Sequence, residues 1–427
     1  MYQIENSGDL IKNQRAHLRS RLLWLSVGRN VFFLGLTSLL TDISAEMVSV
    51  VLPLYLLFGL RLAPLQFGLI DGLYQGAAVL VRVVSGVLAD RWRRPKALAA
   101  AGYVFSAICK AGLLLVGGSW LALSGVVILD RVGKGIRTAP RDSLIASSTN
   151  SERLATAFGV HRAMDTAGAM LGPLVAAGLL ALTPNAYDTV FVVSLCFALV
   201  GVAVIVLLVE NPAQPAPAPT APTVDWRVVG QLLAQPNFRA LVWVSSGLAL
   251  MTLSDNFIYL ALRRHFNFSL GVFPLLYVAT ALIYMLLAIP MGRLADRVGR
   301  TRIFVAGYGL LGIVYTILLV PGLPLPIGLS SLVVLGLYYA ATDGVLMARA
   351  SELLPDTLRT TGLAVLTTGT GLARLLASFA YGAVWGGWGP EIANVTFLVG
   401  LAGMLGVAAL TLLRADQRKK LTHDSRA

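Results

Sequence analysis

Two carboxylates stand four residues apart inside an apolar stretch near the start of the sequence. The stretch GLTSLLTDISAEMVSVVLPLYL, residues 35–56, is long enough for a membrane-spanning helix and contains Asp42 and Glu46. Residues four apart lie on one face of a helix, and an ionised group facing lipid at the bilayer centre costs roughly 2.5 kcal/mol or more. The face that carries both acids is therefore predicted to look into protein or water, where a carboxyl group can bind and release a proton.

Two later apolar segments, centred near residues 130 and 168, also carry charged residues. Asp130 and Lys134 are one turn apart, as are His161 and Asp165, so each pair can partly neutralise itself on one helical face. Three residues near the end of the first of these segments are predicted to be solvated: Arg137, Arg141 and Asp142. Three others are predicted to form a polar network inside the protein: Asp130, Arg131 and Arg162.

The composition shows which elements must position these groups. The chain has 427 residues, of which 56% are apolar and 13% charged, and its mean hydropathy is +0.75. Twelve apolar segments of about 20 residues are centred near residues 45, 78, 106, 130, 168, 198, 250, 282, 310, 337, 372 and 402. The sequence therefore predicts an all-α integral membrane protein with twelve transmembrane helices. Cys109 and Cys196 fall within apolar segments, so neither a disulfide nor a metal cluster is expected.

The distribution of Lys and Arg predicts the topology. Basic residues collect in alternate short loops and at both ends of the chain: 15–21, 91–96, 137–141, 297–302 and 414–420. The exceptions are Arg61, Arg263 and Arg264. We predict a multi-pass protein of the cell (inner) membrane with both termini in the cytoplasm. The net charge of +13 is explained by topology and by attraction to anionic membrane lipid, so no nucleic-acid partner is expected.

The sequence repeats itself at half its length. GVLADRWRRPK at 86–96 returns as GRLADRVGRTR at 292–302, and Asp42 and Asp130 have counterparts in Asp255 and Asp343. These offsets predict two six-helix bundles, residues 1–209 and 237–427. The Pro- and Ala-rich segment between them, 210–236, is predicted to be a cytoplasmic linker.

The doubled GxLADRxxR pattern resembles the signature loop of the major facilitator superfamily, and the twelve-helix, two-bundle plan resembles that family along the whole chain. The resemblance implies a gate at the loops after the second and eighth helices, where carboxylates bind helix ends or arginines in one conformation and release them in another. The first copy supplies Gly86, Asp90 and Arg91. The second copy supplies Gly292, Asp296, Arg297, Gly299 and Arg300.

Two further motifs strengthen the resemblance. RVGKG at 131–135 is similar to the family's Arg-x-x-Gln-Gly pattern, with Lys134 in place of Gln. Gly159, Gly168, Gly172 and Pro173 reproduce the G-x8-G-x3-G-P spacing associated with the family's antiporters. Small residues at this spacing also let membrane helices pack closely, whatever the direction of transport.

The resemblance places the first and seventh helices at a central cavity. It therefore implies that Asp42, Glu46 and Asp255 line the cavity, and we assign Asp343 and Arg374 to the same polar set. At least one of the three acids is predicted to exchange protons as access alternates. The alternative is a permanently paired structural carboxylate, with Arg162, Lys110 or Arg82 as partner.

Together these features predict a proton-coupled secondary transporter of a small molecule or ion, acting as a monomer without a cofactor. Catalytic and nucleotide-binding motifs are absent from the sequence, which disfavours an enzyme or an ATP-driven pump. Efflux by antiport is the first interpretation. Uptake by symport, or a transporter-like sensor or scaffold, remains open. The substrate could be a zwitterion, a metal ion, an amphipathic cation or an organic anion.

Overall fold

The computed structural model of the protein describes residues 28–74, 95–117, 119–149, 154–184, 186–211, 226–355 and 358–414, and all regular structure within these ranges is helical. The helices of the amino-terminal half are Arg29–Leu54 with a π-helical turn Tyr55–Gly59, 64–74, Pro95–Leu115, Trp120–Ser147, Leu154–Leu182 and Tyr187–Leu207. Those of the carboxy-terminal half are Trp226–Ala234, Pro236–Leu250, Asp255–Phe266, Phe273–Val298, Arg300–Leu318, Leu325–Leu353, Arg359–Trp388 and Pro390–Ala408 with a π-helical turn Ala409–Leu413.

The predicted all-α membrane architecture is confirmed. Ten helices among the described residues are long and apolar enough to cross a bilayer. The fourth segment, Trp120–Ser147, adds a helix of 28 residues whose charged side chains lower its hydropathy. The second segment is described only over 64–74, and its predicted centre lies outside the described residues.

The seventh segment is broken, whereas the sequence suggested one continuous helix. The first piece is Pro236–Leu250, and the second, Asp255–Phe266, begins after a short non-helical link. The hydroxyl of Tyr315 accepts a hydrogen bond from the Leu253 N–H at 2.6 Å and donates one to the Met251 carbonyl at 3.0 Å. Irregular backbone is tolerated at membrane depth only when such partners satisfy it. The side chain of Ser254 then caps the second piece.

Glycines bring the fifth segment against the first. A Cβ on Gly168 would lie 2.5 Å from the Leu39 carbonyl oxygen, and one on Gly172 would lie 2.8 Å from both the Glu46 Cβ and the Ile43 carbonyl oxygen. Pro173 follows Gly172 in the same helix, and Gly159 lies near the start of that helix. The predicted small-residue spacing therefore fixes the first helix, with its two acids, on the fifth.

A short helix occupies the end of the segment assigned to the linker. Trp226–Ala234 packs on the carboxy-terminal half, where Leu232 is buried together with Phe238 and Leu354. The Pro- and Ala-rich residues before it, 212–225, lie outside the described residues.

The two ends of the bundle are named below by residues of the first helix: the Arg29 end, where that helix begins, and the Phe58 end, where it finishes. Near the Phe58 end the two halves meet through the second and eleventh segments. A Cβ on Gly68 would lie 2.5 Å from the Ser378 carbonyl oxygen, and one on Gly382 would lie 2.6 Å from the Pro64 carbonyl oxygen. Backbones this close allow polar side chains of the two halves to bond to each other.

Candidate functional site

A cavity of about 440 Å³ lies between the two halves. Its walls come from the first, second and fourth segments on one side and from the seventh, eighth, tenth and eleventh on the other. Six charged side chains line it: Glu46, Asp71, Arg131, Lys134, Asp255 and Arg374. A polar cavity of this size accommodates a small molecule.

Asp130 lies between two cations at one side of this cavity. Its Oδ1 accepts a hydrogen bond from the Nζ of Lys110 at 3.0 Å, and its Oδ2 accepts one from Nη2 of Arg131 at 2.8 Å. These contacts replace the predicted Asp130–Lys134 pair, because the third helix supplies a buried lysine that spacing along the fourth helix cannot reveal. A buried carboxylate with two cationic partners is a fixed structural charge.

Arg131 and Lys134 face the cavity in different ways. The Arg131 guanidinium is buried and stacks on the ring of Tyr74, with its Cζ 3.9 Å from the ring centroid. Lys134 is half-buried, and among the described residues it forms no ion pair. Glu46, across the cavity on the first helix, likewise has no ion-pair partner in the described part of the chain. Lys134 and Glu46 therefore face the cavity without a described ion pair.

Asp42 is buried against the fifth segment instead of lining the cavity beside Glu46. Its carboxyl group lies within hydrogen-bonding reach of that of Asp165. The Oδ1 of Asp165 also accepts a hydrogen bond from the Ser38 hydroxyl at 3.1 Å. A hydrogen bond between two carboxyl groups requires a proton on one of them, since an ionised carboxylate can only accept. The pair thus forms a site that can hold one proton.

Two arginines flank Asp165, and their exposures are the reverse of those predicted. Arg141, expected to be solvated, has a side chain only 14% exposed, and its Nη1 lies 3.8 Å from Asp165 Oδ1. Arg162, expected deep in the protein, has a side chain 80% exposed, 3.7 Å from Asp165 Oδ2. The fourth helix continues to Ser147 and its end turns toward the first helix, where Arg141 donates to Ser38 at 3.1 Å. His161 is buried, and its Nε2 has no hydrogen-bond partner among the described residues, so the predicted pairing with Asp165 is not formed there.

The carboxy-terminal half surrounds its acids with hydroxyl groups. Asp255 is the first residue of the second piece of the broken helix, and its Oδ1 accepts a hydrogen bond from the Tyr339 hydroxyl at 2.6 Å. Asp343 and Arg374 lie 3.9 Å apart, with side chains 46% and 34% exposed. This ion pair is longer and more exposed to solvent than the two ion pairs of Asp130.

Asp71 is the cavity residue that the sequence interpretation missed. It is 3% exposed, it projects from the second segment, and it accepts a hydrogen bond from the Ser378 hydroxyl at 2.7 Å. It also accepts one from the Asn256 amide, whose oxygen in turn accepts from the Tyr277 hydroxyl. The available signal was the one that identified Asp42, a carboxylate inside an apolar stretch. Asp71 therefore joins the amino-terminal half to two segments of the other half.

An aromatic layer follows this polar layer toward the Phe58 end. The ring of Phe257, the residue after Asn256, lies 4.9 Å from that of Phe67 and 4.5 Å from that of Tyr381, centroid to centroid. Trp385 extends the cluster, 5.5 Å from Phe257. We call the two layers together the plug: Asp71, Asn256, Tyr277, Ser378, Phe67, Phe257, Tyr381 and Trp385. The plug separates the central cavity from the Phe58 end.

The second copy of the loop motif makes its contacts within its own half. Arg300 donates to Asp296 at 2.9 Å and to Glu352 at 2.7 Å. Gly299 has φ +116°, a conformation that favours glycine and ends the eighth helix. Arg297 is exposed, and a Cβ on Gly292 would have no atom within 4 Å in the part of the chain that is described. The first copy, with Gly86, Asp90 and Arg91, lies outside the described residues.

A two-bundle arrangement of membrane helices around a central polar cavity defines a class of membrane transport proteins, and comparison with known proteins specifies the family. The family model for the Major Facilitator Superfamily matches residues 34–262 and 245–427. A protein of Methanocaldococcus jannaschii described as an uncharacterized MFS-type transporter is 31% identical over 384 residues, which cover 88% of this chain and 92% of that one. The chain belongs to the Major Facilitator Superfamily and is a transporter of that family.

Solved structures share the fold at low sequence identity. The nucleoside transporter NupG, as a variant, superposes with a TM-score of 0.76 at 14% identity, covering 89% of this chain and 99% of that one. The peptide transporter POT in complex with alafosfalin gives 0.74 at 16% identity, covering 91% and 95%. A bacterial homologue of the human lysosomal transporter Spinster, in an inward-facing and occupied conformation, gives 0.71 at 16% identity, covering 90% and 97%.

Proposed function

We propose that the protein exports a small solute across the membrane in exchange for protons, by alternating access. The observation that carries this proposal is a cavity between the halves, lined by acids and bases from both and separated from the Phe58 end by the plug. The names of the structural neighbours, a nucleoside and a peptide transporter, support a small-molecule substrate.

The positive-inside rule supports a cytoplasmic Arg29 end. Under this assignment both termini are cytoplasmic, the protein lies in the cell (inner) membrane, and one chain contains a complete pathway. The bundles 1–209 and 237–427 rock against each other about the linker 210–236.

The Asp42–Asp165 pair supplies the proton site. Asp42 is buried and Asp165 half-buried beside it, and we assign one shared proton to this pair. If rocking separates the first and fifth helices or admits water, both carboxylates become free to ionise and the proton leaves. Lys134 lies close enough to interact electrostatically with Asp42, and it also lines the cavity. Solute charge at Lys134 can therefore affect the proton site.

The plug supplies the barrier on the Phe58 side. Opening that side must break the hydrogen bonds from Asn256 and Ser378 to Asp71 and separate the rings around Phe257. Hydrogen bonds to a charged group contribute about 1.5–3 kcal/mol each. A barrier of a few kcal/mol is small enough for substrate binding to overcome. A ligand shifts a two-state equilibrium by the difference between its binding free energies for the two states.

Efflux is proposed over uptake because the fifth helix carries the G-x8-G-x3-G-P spacing. Its glycines seal the first helix to the fifth around the proton pair. Uptake by symport would use the same cavity and proton site with both fluxes in one direction.

The test is gradient-driven transport in proteoliposomes screened with a substrate library. Asp42→Asn should abolish accumulation against a gradient and leave some downhill exchange, because the asparagine amide cannot release a proton at this site. Asp188→Asn, an exposed carboxylate at the start of the sixth helix, is the matched control and should transport normally.

The outcomes separate the alternatives. Wild-type pH dependence in Asp42→Asn would exclude the Asp42 pair as the coupling site. Solute and proton moving in the same direction would identify symport. Absence of flux for every compound that binds would favour a sensor or scaffold.

A further inference from the structure

A second and larger cavity opens at the Phe58 end, on the opposite face of the plug from the central cavity. Its volume is about 1070 Å³, and Phe257, Tyr381 and Trp385 of the aromatic layer form part of its wall. Phe58 of the first segment and Glu391 of the twelfth also line it. We call this cavity the vestibule.

The vestibule contains two of the three arginines that break the topological charge rule, Arg263 and Arg264. Arg263, Arg264 and His265 form the last turn of the helix Asp255–Phe266, and all three line the vestibule. Basic residues are disfavoured in loops on the translocated side. A helix C-terminus stabilises cations by itself, but that effect does not explain why these side chains surround a cavity.

Arg263 is held in place by an aromatic ring and a backbone carbonyl. Its guanidinium carbon lies 3.9 Å from the ring centroid of Phe58, and its Nε donates to the Phe268 carbonyl at 3.3 Å. Within the described residues Arg263 forms no ion pair. A stacked guanidinium keeps its terminal nitrogens in a fixed plane, where they can donate two hydrogen bonds to one anionic group.

The other charged side chains of the vestibule leave it basic. Arg264 lies 3.3 Å from Glu391, and both side chains are more than 60% exposed. His265 Nε2 is within 3.1 Å of the Leu318 carbonyl, which orients its ring. One acid therefore faces two arginines and a histidine, beside aromatic walls contributed by Phe58, Phe268 and Trp385.

We propose that the vestibule is a binding site for an anionic group carried on an apolar body, with Arg263 as the anion-binding residue and the aromatic walls as the apolar contact. A sulfonate, carboxylate or phosphate attached to a ring or chain has this chemistry. The ligand is either an anionic lipid or a solute on the transport path. For a solute, the vestibule is the last binding site before release. The place on the path rests on the proposed function, whereas anion binding does not.

Calorimetric titration of purified protein in phosphatidylcholine nanodiscs tests binding without any gradient. The probe is naphthalene-2-sulfonate, which stays ionised at every usable pH, and the neutral comparison is naphthalene-2-sulfonamide. The sulfonate should bind at least about tenfold more tightly than the sulfonamide, as expected for a charge-assisted contact. Arg263→Gln should remove most of this difference.

Three variants control the interpretation. Arg239→Gln alters an exposed arginine on the other piece of the same segment, near the Arg29 end, and should bind like wild type. Arg263→Lys should restore only part of the affinity, because the charge remains but the planar pair of donors does not. Glu391→Gln should tighten sulfonate binding severalfold, since it removes the acid of the vestibule, and it gives an answer even if Arg263→Gln fails to fold.

Nanodiscs that contain phosphatidylglycerol distinguish the two possible ligands, an anionic lipid and a transported solute. Weaker sulfonate binding to wild type but not to Arg263→Gln would identify the lipid headgroup as an occupant. Unchanged binding would identify a free solute as the ligand. Equal affinity of wild type and Arg263→Gln, or no effect of Glu391→Gln, would overturn the assignment, whether or not gradient-driven transport is found.

Discussion

The fifth and eleventh helices occupy equivalent places in the two repeats, yet they use those places differently. Gly168 and Gly172 in the fifth helix correspond, at the repeat offset of 206 residues, to Arg374 and Ser378 in the eleventh. The glycines press the fifth helix against the backbone of the first. Arg374 lines the cavity, and Ser378 bonds to Asp71 of the opposite half. The same position serves close packing in one half and polar chemistry in the other.

The acids of the two halves follow the same division. Asp42, on a continuous helix, lies beside another carboxyl group, that of Asp165, and Asp130 is bound by two cations. Their counterparts Asp255 and Asp343, 213 residues later, meet a tyrosine hydroxyl and a loosely placed arginine. The acids of the amino-terminal half therefore have close, charged or carboxyl partners. Those of the carboxy-terminal half have a hydroxyl partner or a more distant cation, and one of them starts the second piece of a broken helix.

The largest expected difference between the halves is in stability at the paired aspartates. Asp130→Asn leaves the buried Lys110 and Arg131 without their common partner, and breaking a buried charge pair typically costs roughly 3–5 kcal/mol. Asp343→Asn removes a half-exposed partner at 3.9 Å and should cost about 1 kcal/mol or less. Unfolding by sodium dodecyl sulfate in mixed micelles measures both values.

Equal losses in the two variants would contradict the asymmetry between the halves. A double variant, Asp130→Asn with Lys110→Met, is the matched test of its cause. It should recover part of the stability, since an apolar side chain of similar volume can replace a buried charge.

The sequence predicted the architecture and five of the six charged residues that line the cavity, but not how the charges pair. Apolar segment length and loop charge are local properties, so eleven of the twelve predicted segment centres fall in or beside described helices. Asp130 shows where local reasoning ends, because Lys110 reaches it from another helix. Arg141 and Arg162 show the same limit for burial, since exposure depends on which neighbour covers a helix end.

The break in the seventh segment is a second kind of limit. Ser254 and Asp255 are suited to start a helix, but the stretch before them is equally suited to continue one. The link is held by Tyr315, which is distant in sequence and was not assigned any role. Asp71, like Asp42, is a carboxylate inside an apolar stretch, but it lies outside the repeated motifs.

An intermediate effect is expected from the packing glycines. Gly172→Leu places a side chain where a Cβ alone would lie 2.8 Å from Glu46, so the first and fifth helices must separate. Overpacking of this kind typically costs about 1–3 kcal/mol, and displacement of Glu46 should make the pathway leaky. Gly178→Leu is the matched control on the same helix, since a Cβ there meets no described atom within 4 Å.

The comparison with the eleventh helix sharpens this test. Ser378→Ala, at the repeat position of Gly172, should leave packing intact and remove one hydrogen bond to Asp71. Loss of export in both variants, with a cysteine cross-link between the first and fifth helices lost only in Gly172→Leu, would match the two uses of the position. Normal export by Gly172→Leu would instead disfavour the antiport interpretation of the fifth-helix spacing.

The smallest effect is expected at Asp296, where the family resemblance suggests a gate latch. Its side chain is 59% exposed and its ion pair with Arg300 spans one helical turn, a kind of pair that contributes about 0–1 kcal/mol. Glu352 would still hold Arg300 after Asp296→Asn, since that contact is 2.7 Å long and independent of Asp296. A cavity cysteine introduced as Ser49→Cys, with Cys109 and Cys196 replaced by Ala, should therefore be labelled from the Arg29 end at nearly the same rate with or without Asp296→Asn. A severalfold rise in labelling would show that Asp296 stabilises a conformation closed at that end, through a contact that the described conformation does not contain.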